Sequence, residues 1–114
     1  MSGINADAVL AALSARQGRE MGITVKELAA RLRAGALFVR KNDDRTVRAA
    51  VEELRRKGVH ICGTPSDGYY IARTEEELLA TCRFLYDRAM TSLTQVAAMR
   101  KAALPDLRQP LRLV

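Results

Sequence analysis

Cysteine, histidine and proline are scarce in this chain of 114 residues, which has two, one and three of them. Cys62 and Cys82 are too few for a disulfide scaffold, and no C-x-x-C or Cys/His spacing suggests zinc. A single histidine, His60, leaves little for a catalytic triad or a two-histidine metal site. No G-x-x-x-x-G-K-[ST] loop and no H-E-x-x-H occurs. The carboxylates cluster at Asp43-Asp44, Glu52-Glu53 and Glu75 to Glu77, at helix starts or on charged helix faces where capping and dipole effects account for them. The sequence therefore predicts no enzyme, no metal site and no cofactor. The longest apolar run, Ala34 to Val39, is too short to cross a bilayer. Nothing near Met1 resembles a signal peptide, so the expected compartment is the cytoplasm, with no membrane partner.

What the chain does have is an ordinary globular composition, 48% hydrophobic and 28% charged, and a length that suits one domain with an appended element. Nineteen Lys and Arg against thirteen Asp and Glu leave a net charge of +6. A small basic protein is drawn to polyanions, and nucleic acid is the commonest one in a cell. A merely solvated basic surface would give the same arithmetic.

The periodicity reads as consecutive elements. Asn5 caps a first helix to about Arg16, with Ala6, Val9, Leu10 and Leu13 on one face. Gly22 and Ile23 form a short extended segment. Thr24 and Glu27 make a capping box for a second helix that carries Val25, Leu28, Ala29 and Leu32 inward and stops near Gly35. A less regular stretch comes next, with Leu37, Phe38 and Val39 expected against the core. Asp43 is read as the cap of a third helix, about Asp44 to Lys57, with a seam of Val47, Ala50, Val51 and Leu54 and a stop at Gly58. Val59 to Gly63 and Tyr69 to Ala72 read as strands around the turn-rich Thr64 to Gly68. Thr74 and Glu77 form a second capping box and open a helix to about Ala103, roughly 40 Å long at 1.5 Å per residue.

Three helices, a hairpin and a long helix make a mainly α chain with a small β-hairpin. The order is that of a winged helix-turn-helix followed by a long C-terminal helix. V-K-E-L-A-A-R-L (Val25 to Leu32), D-D-R-T-V-R-A-A-V-E-E-L-R-R-K-G (Asp43 to Gly58) and G-Y-Y-I-A-R-T (Gly68 to Thr74) resemble the small winged helices of the biotin-repressor and deoxyribose-repressor type. The likeness is to short single-domain versions in bacteriophages and mobile elements, and it covers about Val25 to Leu79. It implies duplex DNA binding by the third helix and the wing, and often dimerisation through the segment after the wing. One departure stands out: Arg33 to Asn42 separate the second and third helices, where the family has a shorter turn.

Removing the seam at 100° per residue leaves Arg45, Ala49, Glu52 and Arg56 on the outer face of the third helix, flanked by Arg48. Arginine grips guanine O6 and N7 with two hydrogen bonds, Ala49 permits close approach, and Glu52 can accept from cytosine N4. Lys41, Asn42, Thr46 and the helix N-terminus suit phosphate, as does Ser66 at the wing tip. The same face admits a plainer reading, because Arg48–Glu52 and Glu52–Arg56 are spaced i, i+4 and would form a self-neutralised surface. Tyr69 and Tyr70 should alternate across their strand, one packing on the core and one facing out. His60 has no special duty, and both cysteines are expected as small buried hydrophobes.

The long helix repeats apolar residues in steps of three and four: Leu79, Cys82, Tyr86, Ala89, Leu93 and Val96. A second copy is the simplest cover for that seam, giving a homodimer; a break near Ser92 and Thr94 with fold-back is the alternative. The expected division is thus a winged domain 1–74, a dimerisation helix 75–104 and a poorly ordered tail 105–114. The expected function is a small homodimeric, nucleoid-associated transcriptional regulator. A replication or recombination accessory factor, or a winged module that docks on a host or phage protein, fits the same residues.

Overall fold

A computed structural model describes residues 4–33, 40–64 and 66–102. Helix α1, Ala6–Leu13, starts where Asn5 Oδ1 accepts the Ala8 amide at 2.8 Å. It ends three residues before the expected Arg16. There the Ser14 hydroxyl turns back to the Leu10 carbonyl at 2.7 Å, and the backbone leaves the helix for an extended pairing at Gln17. A 3-10 turn, Arg19–Met21, occupies ground that the sequence left unassigned. Helix α2, Val25–Leu32, begins with the predicted box: Thr24 Oγ1 accepts from the Glu27 amide and Glu27 Oε1 from the Thr24 amide, both at 3.1 Å. Leu37, Phe38 and Val39, expected against the core, lie outside the described residues, as do the end of the last helix at Ala103 and the tail 105–114.

Helix α3, Asp43–Arg56, carries the predicted seam: Val47, Ala50, Val51 and Leu54 are all buried. Asp43, however, is its first helical residue and not its cap; Asn42 is the cap, and its side chain makes no capping bond. The physical reason is a stronger demand on the Asp43 carboxylate, which is taken by Arg33. Gly58, at φ +94°, stops the chain after α3.

The strands are β1, Ile61–Thr64, and β2, Gly68–Ile71, antiparallel with Cys62 opposite Tyr70. The first therefore starts two residues later than expected. The Val59 amide is still committed to the Leu54 carbonyl at the end of α3, at 3.0 Å. Beyond β2, Ile23 and Tyr69 exchange both backbone hydrogen bonds at 2.9 and 2.8 Å, so the short extended segment after the 3-10 turn becomes a third edge. Gly22 makes that approach possible, since a Cβ there would collide with the Asp67 carbonyl.

Strand alternation then divides two buried sets. Ile61 joins the main core of Val9, Leu13, Leu28, Val47 and Val51, with Tyr69 and Ile71 packed against it. Cys62 and Tyr70 face the other way, and both are buried. Fully burying an aliphatic side chain such as Leu28 contributes about 1.5–3 kcal/mol. Helix α4, Glu75–Ala102, covers the second face with its first turns: Cys62 Sγ donates to the Glu77 carbonyl, and Thr81 Oγ1 accepts the Gly63 amide at 3.3 Å. Residues to Thr81 form one compact unit; from Cys82 the described chain is the remainder of α4. Among the described residues no helix is long and apolar enough to cross a membrane.

Candidate nucleic-acid interface

The outer face of α3 is built by subtraction. With its seam committed to the core, Arg45, Thr46, Arg48, Ala49, Glu52 and Arg56 are left exposed, and Lys41 and Asn42 precede them, also exposed. Thr46 is partly engaged, since its amide and its hydroxyl both donate to the Asn42 carbonyl at 3.1 Å. Ser66 is exposed on the hairpin loop, with its hydroxyl 3.2 Å from that of Thr64.

The plainer reading of this face requires its i, i+4 ion pairs. Neither Arg48–Glu52 nor Glu52–Arg56 forms, and Arg45, Arg48, Glu52 and Arg56 make no ion pair among the described residues. The neighbouring acids are taken elsewhere: Asp44 by Lys26 of α2 at 3.2 Å, and Glu53 by Lys57 at 3.1 Å. With those two carboxylates paired, Arg45, Arg48 and Arg56 share the face with Glu52, none of the four in an ion pair among the described residues. Such a surface attracts an anion more strongly than the raw i, i+4 pattern implies.

Two contacts fix this face in place. Arg33 holds Asp43 through Nε at 3.0 Å and a terminal nitrogen at 2.9 Å, and Asp43 also accepts the Arg40 amide at 2.8 Å. The Arg33 guanidinium, then the Arg40 amide, keep the Asp43 carboxyl below the ordinary aspartate range against the opposing effect of burial. The Arg33 pKa is raised by the same hydrogen bond. This clamp closes the connection between α2 and α3 from its two ends. At the other end of α3, Arg55 Nε donates to the Ile61 carbonyl at 2.8 Å, and its guanidinium lies 5.9 Å from the centre of the Tyr69 ring. The helix is thereby joined to the hairpin.

Compared with models of protein families, with curated proteins and with solved structures, the chain matches none of them.

Sequence reasoning located the exposed arginines but missed the residues that hold them. Arg33 and Asp43 are ten residues apart and belong to different helix ends, so no periodicity links them. Arg55 had a weak signal, standing between the seam and the outer face on the helical wheel. The cysteines also part company: Cys62 is buried as expected, whereas Cys82 on α4 is exposed. Tyr70 is buried and Tyr69 half-buried, so neither ring is fully outward. Among the described residues no group of three His, Cys, Asp or Glu side chains is arranged to hold a metal ion.

On α4 the predicted seam is available. Leu79, Cys82, Tyr86, Ala89 and Leu93 are exposed and Val96 is half-buried. Its first turn is held by Glu77, whose carboxylate accepts the amides of Arg73 at 2.8 Å and Arg19 at 3.1 Å. Those two bonds lower the Glu77 pKa, the Arg73 amide most.

Proposed function

We propose that this chain is a winged helix-turn-helix protein that binds duplex DNA as a homodimer, without catalysis, as a small nucleoid-associated transcriptional regulator of phage or mobile-element type. The observation that carries the reading is the arginine face of α3, whose Arg45, Arg48 and Arg56 make no ion pair among the described residues. Arg45 and Arg48 stand in the first turns of the third helix, the part that meets base edges in this architecture. Lys41, the N-terminus of α3 and Arg56 are suited to flanking phosphates. The segment that pairs with β2 opposite β1 supports the winged arrangement, since it gives the hairpin a third edge tied to the helical core.

Glu52 favours a second reading. A carboxylate without an ion-pair partner among the described residues weakens non-specific attraction to DNA and would suit docking on a basic host or phage protein.

The test is binding to labelled mixed-sequence duplex across a salt series, with the wild type beside Arg45→Ala/Arg48→Ala. Steep weakening with salt, and a loss of about 1–3 kcal/mol or more in the double variant, are expected. A protein that ignores duplex at low salt would overturn the DNA reading and turn attention to a protein partner.

A further inference from the structure

We infer that the exposed stripe of α4 pairs with the same stripe of a second copy in an antiparallel sense, with Cys82 facing the partner's Leu93 and Tyr86 facing the partner's Ala89. This rests on the homodimer reading and adds its orientation and register; it does not depend on DNA binding. The stripe runs Leu79, Cys82, Tyr86, Ala89, Leu93 and Val96 in alternating steps of three and four, while Asp87, Arg88, Thr91 and Gln95 fall on the opposite face. Leu79, Tyr86 and Leu93 remain 57, 64 and 54% exposed, too much for large apolar side chains in a single copy.

Charge and volume choose the direction. Continued one step each way, the stripe meets Glu75 at its start and Arg100 at its end. Parallel helices would set Glu75 beside Glu75 and Arg100 beside Arg100. They would also stack Tyr86 on Tyr86 and Ala89 on Ala89, leaving one layer overfull and the next hollow. In the antiparallel register each pair changes character. Glu75 meets Arg100, Leu79 meets Val96, Cys82 meets Leu93, and Tyr86 meets Ala89. Large side chains then face small ones in the central layers, and the terminal charges are neutralised.

The experiment uses the full chain. Sedimentation across a concentration series reads the association, and mild oxidation with diamide reads the register, for wild type and for Leu93→Cys. The expected result is a dimer in which wild type yields little covalent product. Leu93→Cys should yield mostly covalent dimer, and lose it when Cys82→Ser is added. Charge reversal gives a second readout: Glu75→Arg or Arg100→Glu alone should weaken association about tenfold, and the double reversal should restore it. A wild-type dimer that cross-links readily through Cys82 overturns the antiparallel register while leaving the homodimer. A chain monomeric at every concentration overturns both, and duplex binding by that monomer would leave the DNA reading intact. Leu93 is exposed, so its substitution leaves the core of the compact unit untouched, and circular dichroism verifies this.

Discussion

Arg33 holds Asp43 by two hydrogen bonds in a setting where the carboxylate side chain is only 4% exposed. One side chain ends α2 and the other begins α3, so the pair ties the two helix ends together. A bidentate guanidinium–carboxylate pair has little freedom to swivel, unlike a lysine contact.

Breaking that pair from one side strands a buried charge. Asp43→Ala and Arg33→Ala are each expected to lower the urea midpoint several-fold more than Lys26→Ala, whose exposed pair with Asp44 is worth less than about 1 kcal/mol. Combining the two substitutions should cost less than their sum. An additive double-mutant cycle would show that the clamp contributes no coupling.

Acid should expose the same clamp together with Glu77. Both carboxylates titrate lower in the folded chain than in the unfolded one. Their stabilisation is therefore complete above the unfolded carboxylate range and drains away as pH falls through the folded values. Melting temperature should be level above about pH 5 and fall progressively below about pH 4. In Asp43→Asn/Glu77→Gln that acid-side fall should be much shallower, from a lower plateau.

Glycine substitution separates close approach from backbone conformation. Gly22→Ala drives a methyl group into the Asp67 carbonyl and should destabilise by about 2–4 kcal/mol, because neither backbone can retreat without opening the Ile23–Tyr69 pairing. Gly58→Ala meets open space but keeps a positive φ, and should cost about 1–2 kcal/mol. Equal losses in thermal denaturation would refute the difference in cause.

Salt dependence should sort the arginines by duty. Arg56→Ala is expected to weaken duplex binding evenly across sequences and reduce the salt slope by about 1. Arg48→Ala should also relax discrimination at one base pair. Lys57→Ala, whose charge is already paired with Glu53, should leave the slope nearly unchanged. Competition binding with shuffled duplexes separates these outcomes.

How much of the fold is legible in the sequence depends on the range of each interaction. The Thr24–Glu27 box and the Val47 to Leu54 seam are written within a few residues, and both appear where the pattern put them. Helix ends are decided by rivals for the same carbonyl, so α1 stops short of Arg16 and β1 begins late. Asp43 resembles a cap in sequence because its true partner is carried by another element. Cys62 and Cys82 are alike in sequence and differ only in what the fold lays over them. For the candidate interface, the arginines are legible from the wheel. That no carboxylate among the described residues pairs with them is not, because it depends on which spaced pairs form and on Lys26 of α2 taking Asp44.

The pairing of Ile23 with Tyr69 also governs how the chain is born. An early segment waits for the late strand β2, and the strand paired with it, β1, waits for Thr81. Closing so wide a loop is unfavourable until its contacts form together, so the helices made first lack Ile61, Tyr69 and Ile71 against their core while the hairpin is still to come. On the ribosome the unit should therefore acquire protection from proteolysis in a single step, once the first turns of α4 have been synthesised.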